Sequence, residues 1–348
     1  MSRLAKVTAT GSAAFALAAF VGFSPAAQAQ TTTLTMSSWV SPQHLLTKDV
    51  LAVWGQQVEK ATNGRVKMQM LAKHPSAAPG TFDAVRDGLV DVSYVTASYT
   101  PARHVLPLLP ELPGGGATAE INSVAFSRIH WKYFQPVNEY KGVKLLGVWT
   151  HGPGQMFNTK RPINRVEDLA GMKIRSGGGI SEQMARALGA SPFVKPAPES
   201  YELLSSGVAD GTFFPLESII SFKLDTVVKH ATLFPGGFYG SAFGFFMNED
   251  KWNKLSKQDQ DAIMSVSGEA IARLAGRAWD NTDRQAMEVM KKANIDIQPA
   301  SPELIKGVQE RSKAIVDKWK KDATAKGVDG EKVYAEFHEE LKRVAAGQ

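Results

Sequence analysis

Leu34-Thr35-Met36-Ser37-Ser38-Trp39 is a short strand-like run. It is followed from Pro42 by Leu46, Val50, Trp54, Val58 and Ala61 at three- to four-residue steps, ending at Asn63-Gly64. The first pattern is that of a strand, and the second is one apolar helix face closed by a turn. Outward from this pair, 66–71 alternates as a second strand, 82–89 reads as a short helix and 91–96 as a third strand. The order β-α-β-α-β predicts a largely parallel sheet covered on both faces, so the fold class is α/β.

The pattern then repeats. Prolines 101, 107, 110 and 113 predict an extended, irregular connection. A helix is expected within 118–140 and a strand over 143–149. A fresh α/β unit follows, with strands over 172–175, 193–195 and 208–214 and helices over 181–188 and 201–205, and 242–248 reads as a further buried strand. From Ser256, which can cap a helix with Asp259 three positions on, Ile263, Val266, Ala270, Leu274, Ala278, Ala286, Met290 and Ala293 keep helical spacing. Such a helix over 257–293 would be about 55 Å long. Either it breaks near Asn281-Thr282, or it braces both units as a shared spine. Two helices close the chain, over 302–319 and about 330–344.

The 348 residues suit about two domains, and 43% apolar with 21% charged residues is ordinary globular composition. The absence of cysteine excludes disulfides, thiol catalysis and a lipid-modified N-terminal cysteine. Arg3 and Lys6, the apolar stretch 9–23 and Ala27-Gln28-Ala29 form a secretory signal over 1–29, predicting a soluble exported chain that starts at Gln30. The net charge of +6 falls by two without that segment, and the scattered lysines form no basic stripe, so nucleic acid is not expected as a partner.

Enzyme machinery is missing at the local level. The 7 histidines include no pair at metal-ligand spacing, and no GxSxG, GxGxxG or Walker-type loop occurs. No enzyme activity, metal or cofactor is expected. One motif does carry charge chemistry. Asp168-Leu169-Ala170-Gly171-Met172-Lys173-Ile174-Arg175 leads a short strand into Arg175, followed by Ser176 and three glycines. An arginine at the carboxyl end of a parallel strand faces the crevice where α/β proteins bind ligands, and its planar fork suits a carboxylate. The alternative is a surface arginine paired with an acid such as Glu182.

These residues, with Arg161-Pro162-Ile163, Leu188-Gly189-Ala190-Ser191-Pro192, the run from Tyr201 to Gly211, Pro215, the run from Phe82 to Val92 and Leu109-Pro110-Glu111-Leu112-Pro113, carry a resemblance across nearly all of the chain beyond the leader. It resembles the solute-binding proteins of tripartite ATP-independent periplasmic (TRAP) transporters. The resemblance implies two α/β lobes around a cleft, a long helix bracing both, a membrane permease as partner, and Arg175 as the clamp on a ligand carboxylate. Lobe I is expected over 30–150 plus about 240–280, and lobe II over 151–239 plus about 281–348, in a monomer.

Two departures shape the ligand. Gln155 stands where many acid-binding members have a second arginine, and Thr212-Phe213-Phe214-Pro215 replaces a polar Gln-x-Asn-Pro. The solute is therefore expected to be a monocarboxylate with an apolar, cyclic or aromatic body against Phe213 and Phe214, of which strand alternation lets one face the cleft unless the strand has ended. Trp39 and Tyr94, with Thr96 and Ser98, sit around strand ends. Trp149 and His151 precede the crossing between lobes, His151 as a donor to a ligand oxygen. Phe238 and Tyr239 lie at a glycine-rich return. A C4-dicarboxylate or 2-oxo acid receptor of the same family, an exported α/β enzyme and the ligand-sensing partner of a signalling receptor stand as alternatives.

Overall fold

The computed structural model describes residues 31–348; the expected signal segment lies outside the described residues. Eleven strands are ordered as β1 (Thr32–Met36), β2 (Val66–Met70), β3 (Val92–Thr96), β4 (Val143–Thr150), β5 (Gln155–Asn158), β6 (Lys173–Ser176), β7 (Ser191–Val194), β8 (Gly211–Phe214), β9 (His230–Leu233), β10 (Ala242–Asn248) and β11 (Asp296–Pro299). They form a five-stranded sheet, β2-β1-β3-β10-β4, and a six-stranded sheet, β11-β9-β5-β8-β6-β7, one for each lobe.

Neither sheet is wholly parallel. β10 runs antiparallel to both β3 and β4, and β5 antiparallel to both β8 and β9. Each of these strands is the first that the chain lays down after crossing from the other lobe. The pairings Ala242↔Thr150 and Gln155↔Phe214 put the start of each opposite the end of a neighbouring strand. A strand that enters a sheet at the edge where its neighbours finish has to run against them. Strands β5, β9 and β11 carried too short a pattern to be expected from the sequence.

The long helix is broken, at a place other than Asn281-Thr282. One helix runs over Lys257–Ser265, capped by Ser256 accepting from the Asp259 backbone N–H, and the next over Glu269–Lys292. Gly268, between them, has φ +57°, and its N–H donates to Leu146 O at 2.7 Å, which ties the kink to β4. The second helix, of 24 residues, is about 36 Å long. Ile271, Ala275 and Trp279 pack with Leu34, Trp54 and Phe245 of the first lobe, and Met290 packs with Phe157 and Phe214 of the second. It is the shared spine.

Other segments also differ from expectation. Within the proline-rich connection, Leu106–Glu111 is a short 3-10 helix and not extended chain. Pro107 sits in its first turn, where a missing N–H costs nothing. The last helix, Gly330–Ala345, lies against Ala119–Ile129, held by Arg128 Nη1 to Glu340 Oε1 at 2.6 Å. The chain expected to end in the second lobe thus ends against a helix of the first. Among the described residues no helix is long and apolar enough to cross a membrane.

Candidate functional site

The strand ends of the two sheets meet around a small cavity of about 60 Å³. Arg175, third residue of β6, reaches its wall and is 2% exposed. Its Nε and Nη2 donate to the carbonyl of Lys195, at 2.9 and 2.6 Å, and its guanidinium carbon lies 4.4 Å from the Phe214 ring centroid. The face of Phe214 is thus a cation–π platform, backed on Phe222 at 5.5 Å. No carboxylate among the described residues forms an ion pair with Arg175; Glu182 pairs with Arg186 at 2.7 Å instead. The surface-arginine alternative is therefore excluded. Burial pulls the Arg175 pKa below its ordinary value, with the Tyr99 and Tyr239 hydroxyls partly offsetting this. The guanidinium is thus desolvated, held on one side by the Lys195 carbonyl, and borders the cavity without a carboxylate partner among the described residues.

Phe213 and Phe214 both line this space. Alternation does not separate them because β8 ends at Phe214, before Pro215. Phe213 meets Phe238 edge-on at 4.8 Å. Trp39, in the loop after β1, donates its indole N–H to Tyr94 O at 3.0 Å and packs beside Tyr99. His151 and Tyr239, their rings 5.4 Å apart, together with Thr96 and Ser98, complete the set of expected residues that the structure brings together.

Besides Phe238, which packs behind Phe213, three expected residues lie off the wall. Gln155, first residue of β5, spends its amide on the Phe234 backbone, accepting from N at 2.6 Å and donating to O at 3.3 Å. Tyr94, inside β3, is fully buried with its hydroxyl 3.0 Å from Ser38 Oγ. Trp149, inside β4, stacks on Phe243 with centroids 6.0 Å apart. Residues not anticipated as ligand contacts, including Tyr99, Ser181, Ser241 and Phe243, line the cavity as well. Tyr99 was within reach of the strand-end rule, since it lies three residues past β3; Ser181 and Ser241 carry no pattern of their own.

A larger, open groove of about 740 Å³ runs between 43–49 and the outer face of the spine helix. Lys48, Arg277 and Arg284 along it are interspersed with Asp49 and Glu288, which leaves one net positive charge spread over an open surface and no concentrated anion site. Among the described residues no three His, Asp or Glu side chains converge as metal ligands.

Residues 36–322 match the family described as "Bacterial extracellular solute-binding protein, family 7". The chain belongs to it. A TRAP periplasmic solute-binding protein from Bordetella bronchiseptica, solved with (R)- and (S)-mandelate bound, is 47% identical and superposes with a TM-score of 0.88 over 90% of this chain and 99% of that one. A marine metagenome TRAP protein specific for aromatic acid ligands, solved with 3-hydroxybenzoate, is 29% identical with a TM-score of 0.84, again over 90% and 99%. The outer membrane transporter protein TsaT of Comamonas testosteroni is 29% identical over 88% of this chain and 90% of its own. This family 7 chain is accordingly a two-lobed TRAP solute receptor and not an enzyme.

Proposed function

We propose that the protein is the periplasmic receptor of a TRAP transporter for a small aromatic monocarboxylate, which Arg175 clamps as the lobes close and which is then handed to the membrane permease. The observation that carries this reading is the buried Arg175 guanidinium, without a carboxylate partner among the described residues, in a cavity walled by aromatic rings. A carboxylate entering there gains a charge-assisted hydrogen bond in a water-poor setting, where the attraction is strongest. The ligand's body meets Trp39, Tyr99, Phe213, Phe214, Tyr239 and Phe243, a wall of π-faces suited to a flat ring.

The same wall argues against a dicarboxylate. Arg175 is the only cation among the described residues lining the cavity, and a second buried carboxylate would stand unpaired. The relatives solved with mandelate and 3-hydroxybenzoate support the aromatic reading. Titration calorimetry of the refolded, ligand-stripped protein with benzoate, mandelate, 3-hydroxybenzoate and succinate tests it. Micromolar or tighter binding of at least one aromatic acid, with succinate silent, is expected. Tight succinate binding with the aromatic acids silent overturns it.

A further inference from the structure

Most polar groups on the cavity wall are already matched within the protein. Thr96 Oγ1 and Ser241 Oγ pair at 2.8 Å, Ser98 Oγ donates to Glu111 Oε2 at 2.6 Å, and Ser181 Oγ donates to Gly178 O at 2.8 Å. Tyr99 OH accepts the Ala197 N–H at 2.8 Å. Among the described residues Nη1 of Arg175, the hydroxyl of Tyr239 and Nε2 of His151 make no protein hydrogen bond. The first two can donate to a carboxylate. The third cannot.

His151 Nδ1 faces the carbonyl oxygen of Gly152 at hydrogen-bond distance. A carbonyl only accepts, so Nδ1 carries a proton. The ring is 6% exposed, packed by Tyr239 and Trp279, and forms no ion pair among the described residues; burial pulls its pKa down to about 4, so it is neutral at pH 7. A neutral imidazole protonated at Nδ1 leaves a lone pair on Nε2. The sequence pointed to His151 as a donor to the ligand; the carbonyl of Gly152 reverses that role.

An acceptor facing the cavity repels a second carboxylate and is left unsatisfied by a plain hydrocarbon ring. We infer that His151 Nε2 accepts a hydrogen bond from a hydroxyl on the ligand, so that the solute is a hydroxy-substituted aromatic monocarboxylate, held by Arg175 through its carboxylate and selected by His151 through its O–H. This rests on the aromatic-acid reading above. It assigns His151 a specificity role that Arg175 does not have.

The test measures dissociation constants for two matched pairs, mandelate with phenylacetate and 3-hydroxybenzoate with benzoate, on the wild type and on His151→Phe. In the wild type the hydroxy acid of at least one pair binds about tenfold tighter or better, the scale of one buried hydrogen bond and the acceptor that it satisfies. In His151→Phe that ratio collapses to within about twofold. Equal affinities within both pairs in the wild type, or a ratio that survives in the variant, overturns the inference. If none of the four acids binds the wild type, the aromatic-acid reading itself has failed. Should His151→Phe not fold, nitrogen-15 spectra of histidine-labelled wild type decide, with His151→Asn used to assign the resonance. Protonated Nδ1 and bare Nε2 are expected, with the Nε2 signal moving on addition of the preferred hydroxy acid and staying put with its deoxy partner. Protonated Nε2, or an equal response to both acids, overturns it.

Discussion

At the scale of single residues, the cavity is governed by groups whose ordinary partners are absent or unusual. Arg175 is one. Its replacement by alanine leaves a bound carboxylate buried without a counter-charge, which costs about 3–5 kcal/mol, so affinity for the aromatic acid should fall at least a hundredfold in calorimetry while the thermal transition persists. Retained micromolar binding would remove the clamp. Glu111 is the second. It is fully buried between Ser98 Oγ and the Ala242 N–H, and burial pushes its carboxyl up to about 7 from an ordinary 4.5. The folded chain thus holds this proton more tightly than the unfolded chain does. The stability it contributes is complete below pH 4.5 and is lost as pH rises through about 7, a change of order 3 kcal/mol. Glu111→Gln should therefore gain stability relative to the wild type between pH 5 and pH 8 in urea titrations. A difference that does not change with pH would show that the carboxyl ionises freely. His104 and His130, lowered by burial to about 3, act with the opposite sign, since both must charge on acid unfolding, and they favour loss of the fold below pH 6.5. That Arg175 stands on the cavity wall was legible in the sequence because strand-end position and side-chain chemistry agree there. Gln155, Tyr94 and Trp149 were misplaced because a polar amide can be claimed by a nearby backbone, and because strands buried on both faces give aromatic residues no sidedness.

At the scale of elements, the spine helix Glu269–Lys292 and the helix Ala119–Ile129 pack so closely that a side chain at Gly276 has no room. A Cβ there would stand 2.4 Å from the Glu120 Cα. On the next turn of the spine, Asp280 caps the other helix, accepting from the N–H groups of Ala119 and Glu120 at 2.7 and 3.1 Å. An acid at a helix N-terminus satisfies free amides and suits the local dipole. Gly276→Val should cost about 1–3 kcal/mol through overpacking, lowering the melting temperature by roughly 3 °C or more, and an unchanged melting curve would mean that the helices part freely. The sequence located this helix but not its start. Ile263, Val266 and Ala270 keep helical spacing across the kink although only Ile263 of the three is buried, so hydrophobic period alone carries no mark of the break. The antiparallel strands were equally hidden. Direction follows from where the chain crosses between lobes, and that is a property of the whole topology.

At the scale of the whole molecule, the two lobes touch across the cavity at a few defined points. Tyr99 in the first lobe accepts the Ala197 N–H of the second, and the glycines that open the helix Gly179–Ala187 lie directly on Ser98. A Cβ on Gly178 would stand 2.9 Å from Ser98 O, at a φ of +96° that side-chain-bearing residues avoid. These glycines follow Arg175 by a few residues, so the loop that seals the first lobe against the second is continuous with the strand that carries the clamp. On the proposed reading of Arg175 as the clamp, closure and carboxylate capture are one event, and obstructing the first should weaken the second without touching any ligand-facing group. Gly178→Val puts two methyl groups in the seam. Its ligand-free melting temperature should fall by several degrees from the backbone strain alone, its affinity for the preferred aromatic acid, measured well below that transition, should fall by about tenfold or more, and its radius of gyration in solution scattering should no longer shrink when ligand is added. Wild-type affinity together with normal compaction would mean that the lobes close by a route in which Gly178 and Ser98 never meet.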